Sequence, residues 1–181
     1  STLVIAHAIQ KANFKGRITS MESHEEWYHM SKDLFPTHLK KYVDFRLSPV
    51  IEDFYSFFRG TRYESVPARE YDFIFVDGPS TTSSDGTHLF NYDFFHILKS
   101  TNKPIQAIID KRLSTVWFLQ KVLGDKVKYD PIRKIGIVEP STRQDILSIS
   151  VTSPSKAFEM STNSIFNSEL NPYFNSIKTK K

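Results

Sequence analysis

Asp77 stands directly after the apolar run at residues 71–76, where a carboxylate can take part in chemistry. Aromatic and β-branched residues in that run predict a short buried strand. Gly78 and Pro79 end the strand abruptly, because Pro79 cannot donate to a ladder. Ligands of open α/β sheets bind at the carboxyl ends of the strands, so Asp77 is a candidate site residue. The alternative is that Asp77 only caps a turn, which is a common use of Asp.

Two further acidic residues occupy the same kind of position. Glu22 follows the strand predicted at residues 17–21, and Asp110 follows the strand predicted at residues 105–109. Because parallel strands point their carboxyl ends to the same edge of a sheet, we expect the carboxylates of Glu22, Asp77 and Asp110 to line one edge.

The elements that would position these side chains alternate between strand and helix from residue 1 to about residue 138. The strands predicted at residues 17–21, 43–47, 71–76 and 105–109 are expected to form one parallel sheet. The pattern favours an α/β, Rossmann-like layered domain with helices on both faces. Residues 126–138 predict a hairpin that gives the sheet an antiparallel C-terminal edge. Residues 139–181 are predicted to be a polar, partly irregular extension.

Local start and stop signals predict the helices. Ser23 and Glu26 have the spacing of a capping box, and the helix that follows carries apolar residues on one side. Ser48 followed by Pro49 predicts a second start, with Gly60 as the end of that helix. The predicted helices cover residues 1–13, 23–35, 48–60, 89–98 and 114–123.

The composition restricts the class of protein. The chain has 181 residues, 39% of them hydrophobic and 24% charged, which is typical of a globular domain with a real core. No apolar run approaches the roughly 20 residues that span a bilayer. The absence of cysteine excludes disulfides, thiolate zinc sites and a cysteine nucleophile, and we expect a cytoplasmic location. The net charge of +4 does not predict nucleic-acid binding, and no RNA-recognition motif is present.

The ordered set of elements resembles a class I S-adenosylmethionine-dependent methyltransferase that lacks its first strand and glycine-rich loop. The resemblance covers residues 1–138, and residues 1–8 resemble the helix that follows that loop. It implies S-adenosylmethionine as cofactor. A chain without the loop is expected to bind this cofactor weakly or not at all and to be inactive, because the loop supplies backbone donors to the ligand.

The resemblance also implies roles for individual residues. Glu22, with Ser23 beside it, would bind the ribose hydroxyls, and Ser48 would lie at the edge of the adenine. Asp77 and Gly78 would lie near the methionine part of the cofactor and the acceptor. These assignments predict a cofactor site at residues 22–23, 48 and 77–78.

The acceptor side is predicted to include Asp110, which matches the end of the fifth strand of the family. His88, in the polar loop after Pro79, is a candidate base for the acceptor proton. Catechol-type relatives hold a divalent metal through two aspartates and a following Asn. Lys111 stands where that Asn would be, and its charge would repel a metal, so we expect none.

The predicted acceptor is a small-molecule or glycan hydroxyl, because Asp-Gly-Pro is similar to sequences of sugar and polysaccharide O-methyltransferases. The basic second half of the chain indicates either an anionic acceptor or only a solvated face. The cations that make it basic include Lys99, Lys103, Lys111, Arg112, Lys121, Lys126, Lys128, Arg133 and Lys134. Two alternatives remain: a methyltransferase-like binding module without catalysis, and a nicotinamide-dependent Rossmann enzyme, which also uses an acidic residue after its second strand.

Overall fold

The predicted acidic residues lie at the ends of two parallel strand pairs, and each pair belongs to a different sheet. A computed structural model of the protein describes residues 1–55, 58–83 and 86–147. The chain divides into two compact units. One consists of Ser1–Val50 with Tyr63–Pro67, and the other of Ile51–Arg62 with Ala68–Lys181.

The first unit holds helices α1 (Thr2–Lys11) and α2 (Glu25–Asp33) and strands β1 (Ile18–Glu22) and β2 (Val43–Leu47). A 3₁₀ helix at Thr37–Tyr42 leads into β2. Strands β1 and β2 are parallel, and the last pair in register is Glu22 with Leu47. The buried residues of this unit form a small core of Ala6, Phe35, Leu39 and Val43.

Helix α2 differs from its prediction in two ways. It begins at Glu25, and its N-cap residue His24 makes no side-chain capping bond, so the predicted capping box is wrong. The carboxylate of Glu22 accepts hydrogen bonds from the backbone at this point instead. The apolar side of the helix is largely exposed, with Trp27 at 55%, Met30 at 41% and Leu34 at 78%.

The helix predicted at residues 48–60 is wrong. Strands β3 (Val50–Tyr55) and β4 (Phe58–Tyr63) lie there, and β4 continues into a parallel pair with β6 (Phe90–Asn91). Charged side chains join β3 to β4, since Arg59 pairs with Glu52 at 2.6 Å and Arg62 pairs with Asp53 at 2.7 Å. These cross-strand ion pairs favour the extended backbone that the apolar spacing alone did not indicate.

A four-stranded sheet with the order β5-β7-β9-β8 also lies in the second unit. Its strands are β5 (Phe73–Val76), β7 (Ile105–Asp110), β8 (Val127–Asp130) and β9 (Ile135–Ser141). Strands β5 and β7 are parallel, and β9 is antiparallel to both β7 and β8. The predicted hairpin and its antiparallel C-terminal edge are therefore confirmed.

Helices α3 (Asp93–Lys99) and α4 (Leu113–Leu123) contribute to the core of the second unit. Gly124 ends α4 with a φ of 59°, the left-handed region that glycine adopts without a steric penalty. The core is rich in aromatic rings, and Phe118 packs against the rings of Phe58, Phe90, Tyr92 and Phe95. Burial of these rings together with the aliphatic core residues stabilises this unit.

The mixed α/β class is confirmed, and the four predicted strands form two parallel pairs, β1 with β2 and β5 with β7. The two pairs belong to two separate sheets, however, and a further three-stranded sheet contains β3, β4 and β6. Several small sheets thus take the place of the one sheet that the sequence predicts. Most of the predicted C-terminal extension, from residue 148 onward, lies outside the described residues. None of the helices in the described ranges is long and apolar enough to cross a membrane.

Candidate functional site

Asp77 and Asp110 lie at the same end of two neighbouring strands. In the parallel pair of β5 and β7, Val76 is opposite Ile109, and the next residue on each strand is acidic. Asp77 is exposed and Asp110 is half-buried. The structure therefore brings these two predicted site residues together, as expected from the parallel arrangement.

Three side chains from three different elements hold the loop that follows Asp77. Arg112 donates to the carbonyl of Asp77, and the Asn91 side chain donates to the carbonyl of Gly78 at 2.7 Å. Thr61 donates through its hydroxyl to the carbonyl of Ser80 at 2.8 Å. These bonds satisfy carbonyl groups that have no place in a strand ladder, so they fix the shape of residues 77–80.

The Asn91 side chain is held in turn by a buried polar network. Asn91 is 1% exposed, and its amide donates to the Asp93 carboxylate at 3.0 Å and accepts from the Asp93 N–H at 3.1 Å. The backbone N–H of Asn91 donates to the Thr115 hydroxyl at 3.0 Å. Sequence reasoning missed both Asn91 and Thr61. For Asn91 the available signal was its place, with Asp93, within the otherwise apolar run at residues 89–95.

His88 lies beyond this loop, where it forms an isolated antiparallel bridge with Thr82 and is exposed. Within the described ranges, no hydrogen bond joins the His88 ring to Asp77 or Asp110. Its role as a base stays a prediction.

Glu22 ends β1 with one carboxylate oxygen engaged. Its Oε1 accepts hydrogen bonds from the N–H groups of Ser23 at 2.7 Å and His24 at 3.0 Å. The backbone of Glu22 is held as well, since its carbonyl accepts from the N–H of Ser48 at 2.9 Å. Oε2 has no hydrogen-bond partner in the part of the chain that the structure describes. A ligand hydroxyl donating to Oε2 would therefore meet a carboxylate that is already oriented.

Ser48 is buried, and its hydroxyl is engaged within the first unit. The hydroxyl donates to the Pro49 carbonyl at 3.3 Å and accepts from the Ser65 N–H at 2.9 Å. These bonds give Ser48 a structural use at the end of β2. Its predicted place beside an adenine stays a prediction.

The predicted site residues are divided between the two units. Glu22, Ser23 and Ser48 belong to the first unit, and Asp77, Gly78, His88 and Asp110 to the second. Their convergence on one crevice stays a prediction. Across the described ranges, no group of three or more His, Asp or Glu side chains is arranged to hold a metal ion.

A second group of ionisable side chains lies on β3, β4 and α3. Burial and the charges of Arg62 and Lys99 lower the pKa of His96, although Asp53 opposes the shift. Burial alone would raise the pKa of Asp53, but hydrogen bonds from Arg62 and from the Phe54 N–H, together with nearby positive charge, lower it. Asp53 on β3 and His96 on α3 are neighbours in this group, with 4.0 Å between Asp53 Oδ2 and His96 Nδ1.

Comparison with known proteins gives no family assignment. The chain matches no family model, no curated protein and no solved structure.

Proposed function

We propose that the protein is an S-adenosylmethionine-dependent methyltransferase that acts on a small-molecule or glycan hydroxyl. One observation carries the proposal. Glu22, Asp77 and Asp110 each lie at the carboxyl end of a strand in a parallel pair, which is where α/β sheets bind their ligands. The proposal is also supported by the antiparallel hairpin of β8 and β9, which forms one edge of the four-stranded sheet, as predicted for a Rossmann-like fold with an antiparallel C-terminal edge.

Glu22 supplies the cofactor contact in this proposal. A ribose offers two adjacent hydroxyl donors, and the Glu22 carboxylate is oriented by Ser23 and His24 with Oε2 left to accept. A hydrogen bond to a charged group contributes about 1.5–3 kcal/mol, so loss of this carboxylate weakens cofactor affinity about ten- to a hundredfold.

Asp77 and Asp110 supply the acceptor contacts. The bound cofactor provides an electrophilic methyl group. The residues of the chain would orient the acceptor hydroxyl and take up its proton while the methyl group leaves the cofactor sulfur and joins the acceptor oxygen. Asp77 is the side chain best placed for that task, because Arg112, Asn91 and Thr61 fix the loop that carries it. His88 is the second candidate for the proton.

Titration of the isotope-labelled chain with millimolar S-adenosylmethionine, followed by NMR, tests the proposal and detects weak binding. We expect shifts in the amide signals of residues 22–24. Glu22→Gln retains an acceptor oxygen for the Ser23 and His24 N–H groups but removes the charge, so it should weaken binding at least tenfold. Glu26→Gln, an exposed carboxylate on α2, is the matched control and should leave binding unchanged.

The same titration with NADH separates the alternatives. A nicotinamide-dependent enzyme would show shifts with NADH that depend on Glu22. Shifts with S-adenosylmethionine that survive Glu22→Gln, or shifts that spare residues 22–24, would contradict the methyltransferase proposal.

A further inference from the structure

Most cations between residues 99 and 143 are engaged by neighbouring side chains. Ten Lys and Arg residues lie between residues 99 and 143. Six of them face a carboxylate or an aromatic ring: Lys103 with Glu70 and Asp72, Lys126 with Asp145, Lys128 with Glu139, Arg133 with Asp130, Lys99 over Phe95, and Lys121 over Trp117. Such pairs indicate an ordinary solvated surface rather than a binding site.

The other four cations have no carboxylate partner in the part of the chain that the structure describes. Three of them, Lys111, Arg112 and Lys134, lie at the carboxyl end of β7. The Asp110–Ile135 pair is the last rung there, and beyond it the Lys111 N–H donates to the Lys134 carbonyl at 3.1 Å. The fourth, Arg143, bonds through its N–H to the carbonyl of Thr101, before β7 begins, and so lies at the opposite end of the strand.

Two of the three clustered cations have an unusual backbone conformation. Lys111 has a φ of 50° and Lys134 a φ of 57°, and both residues are exposed. The left-handed region is uncommon for residues other than Gly, Asn and Asp, and its cost has to be offset by the surrounding structure. Lys111 and Lys134 thus occupy backbone positions that Gly, Asn or Asp would adopt with less strain.

These cations lie at the strand end that also carries Asp77 and Asp110. An anionic molecule approaching two carboxylates alone would be repelled, whereas three cations beside them leave an excess of one positive charge. Arg112 is anchored through its bond to the Asp77 carbonyl, and a guanidinium has five N–H donors, so others remain for a ligand.

We propose that Lys111, Arg112 and Lys134 form an anion site that binds a phosphate or carboxylate group of the methyl acceptor, with the acceptor hydroxyl directed to Asp77 and Asp110. That the bound molecule is the methyl acceptor rests on the proposed function. The acceptor would then be a hydroxyl compound that carries an anionic group, such as a sugar phosphate or a uronate.

NMR titration of the labelled chain with inorganic pyrophosphate and with glucuronate tests the anion site, and glucose serves as the neutral control. We expect either anion to shift the amide signals of residues 110–112 and 134–135, with glucose causing no shift. The anion that binds more tightly distinguishes a phosphate from a carboxylate as the recognised group. Added salt should weaken the binding, because Lys111 and Lys134 are exposed.

Three variants localise the effect. Lys111→Asn and Lys134→Asn remove one charge each and place a residue that tolerates positive φ, so the backbone is kept. Each should weaken anion binding about fivefold, and the double variant by about 25-fold if the two effects add. Arg143→Gln removes the same charge at the opposite end of β7 and should leave the affinity unchanged.

Two results would overturn the proposal: no shift at residues 110–112 with either anion, or an equal loss of affinity in Arg143→Gln and the two lysine variants. Anion binding at this site, together with S-adenosylmethionine shifts that survive Glu22→Gln, would leave the site intact and reject the methyltransferase assignment. The two failures are therefore distinguishable.

Discussion

Asn91 should contribute more to stability than the predicted catalytic residue that it helps to position. Asn91→Ala removes the donor to the Gly78 carbonyl and both bonds to Asp93 within a buried network, so we expect a loss of about 1–3 kcal/mol in the free energy of unfolding. Asp77→Ala is the matched control. Asp77 is exposed, and its substitution should cost under about 0.5 kcal/mol. Urea unfolding measures both, and equal losses would show that the Asn91 network is not a stabilising element.

His96 should make stability depend on pH near neutrality. Its pKa in the folded protein is lowered from 6.5 by burial and by the charges of Arg62 and Lys99, so the unfolded chain binds the proton more readily. The stabilisation that neutral His96 contributes is therefore fully present above pH 6.5, and it is lost as the pH falls through the lowered pKa. In His96→Gln this loss should be absent between about pH 5 and pH 7, as urea unfolding at a series of pH values would show. The Asp53 carboxylate stays ionised throughout this pH range, because its pKa is lowered from 3.8, so it does not contribute to the change. A variant with the wild-type pH profile would exclude this role of His96.

At the scale of elements, the contact between β9 and α4 leaves no room for a side chain at Gly136. A Cβ at Gly136 would lie 2.4 Å from Cγ2 of Val116, a residue that is fully buried. Gly136→Ala should therefore cost about 1–3 kcal/mol. Gly16→Ala is the comparison, because its Cβ would meet the ring of Phe14 at 2.8 Å, but this ring is 65% exposed and can move. We expect Gly16→Ala to change stability by less than about 0.5 kcal/mol. A thermal-unfolding series would record both, and a tolerated Gly136→Ala would mean that β9 does not pack on α4 as described.

At the scale of the whole molecule, each unit carries one tryptophan, and the two differ in environment. Trp27 on α2 in the first unit is 55% exposed, whereas Trp117 on α4 in the second unit is 5% exposed. Acrylamide is neutral, so its quenching of fluorescence reports access and not charge. We expect strong quenching in Trp117→Phe, which retains Trp27, and weak quenching in Trp27→Phe. Strong protection of Trp27 would show that its side of α2 is covered in solution.

Short-range patterns in the sequence determined much of the local structure. The apolar runs before Asp77 and Asp110 predict β5 and β7, and the stop at Gly124 predicts the end of α4, because each signal depends on residues close together in the chain. The same patterns predicted an acidic residue at three strand ends, as the structure shows for Glu22, Asp77 and Asp110.

Tertiary structure decided what those patterns left open. The apolar spacing at residues 50–58 suits a helix as well as a hairpin. In the folded protein β3 and β4 are neighbours in one sheet, and Arg59 pairs with Glu52 and Arg62 with Asp53. The grouping of strands into several sheets was equally beyond local patterns, since strand pairing joins residues distant in sequence.

The same limit applies to the candidate site. The carboxylates at strand ends could be predicted, but the side chains that hold the Asp77 loop and the lysines that flank Asp110 could not. Asn91 is 13 residues from the Gly78 carbonyl that it binds, and Thr61 is 19 residues from Ser80. Lys134 meets Lys111 only because β9 runs antiparallel to β7. The sequence determines which side chains can do chemistry, but the contacts between distant residues form only when the chain folds and buries its core.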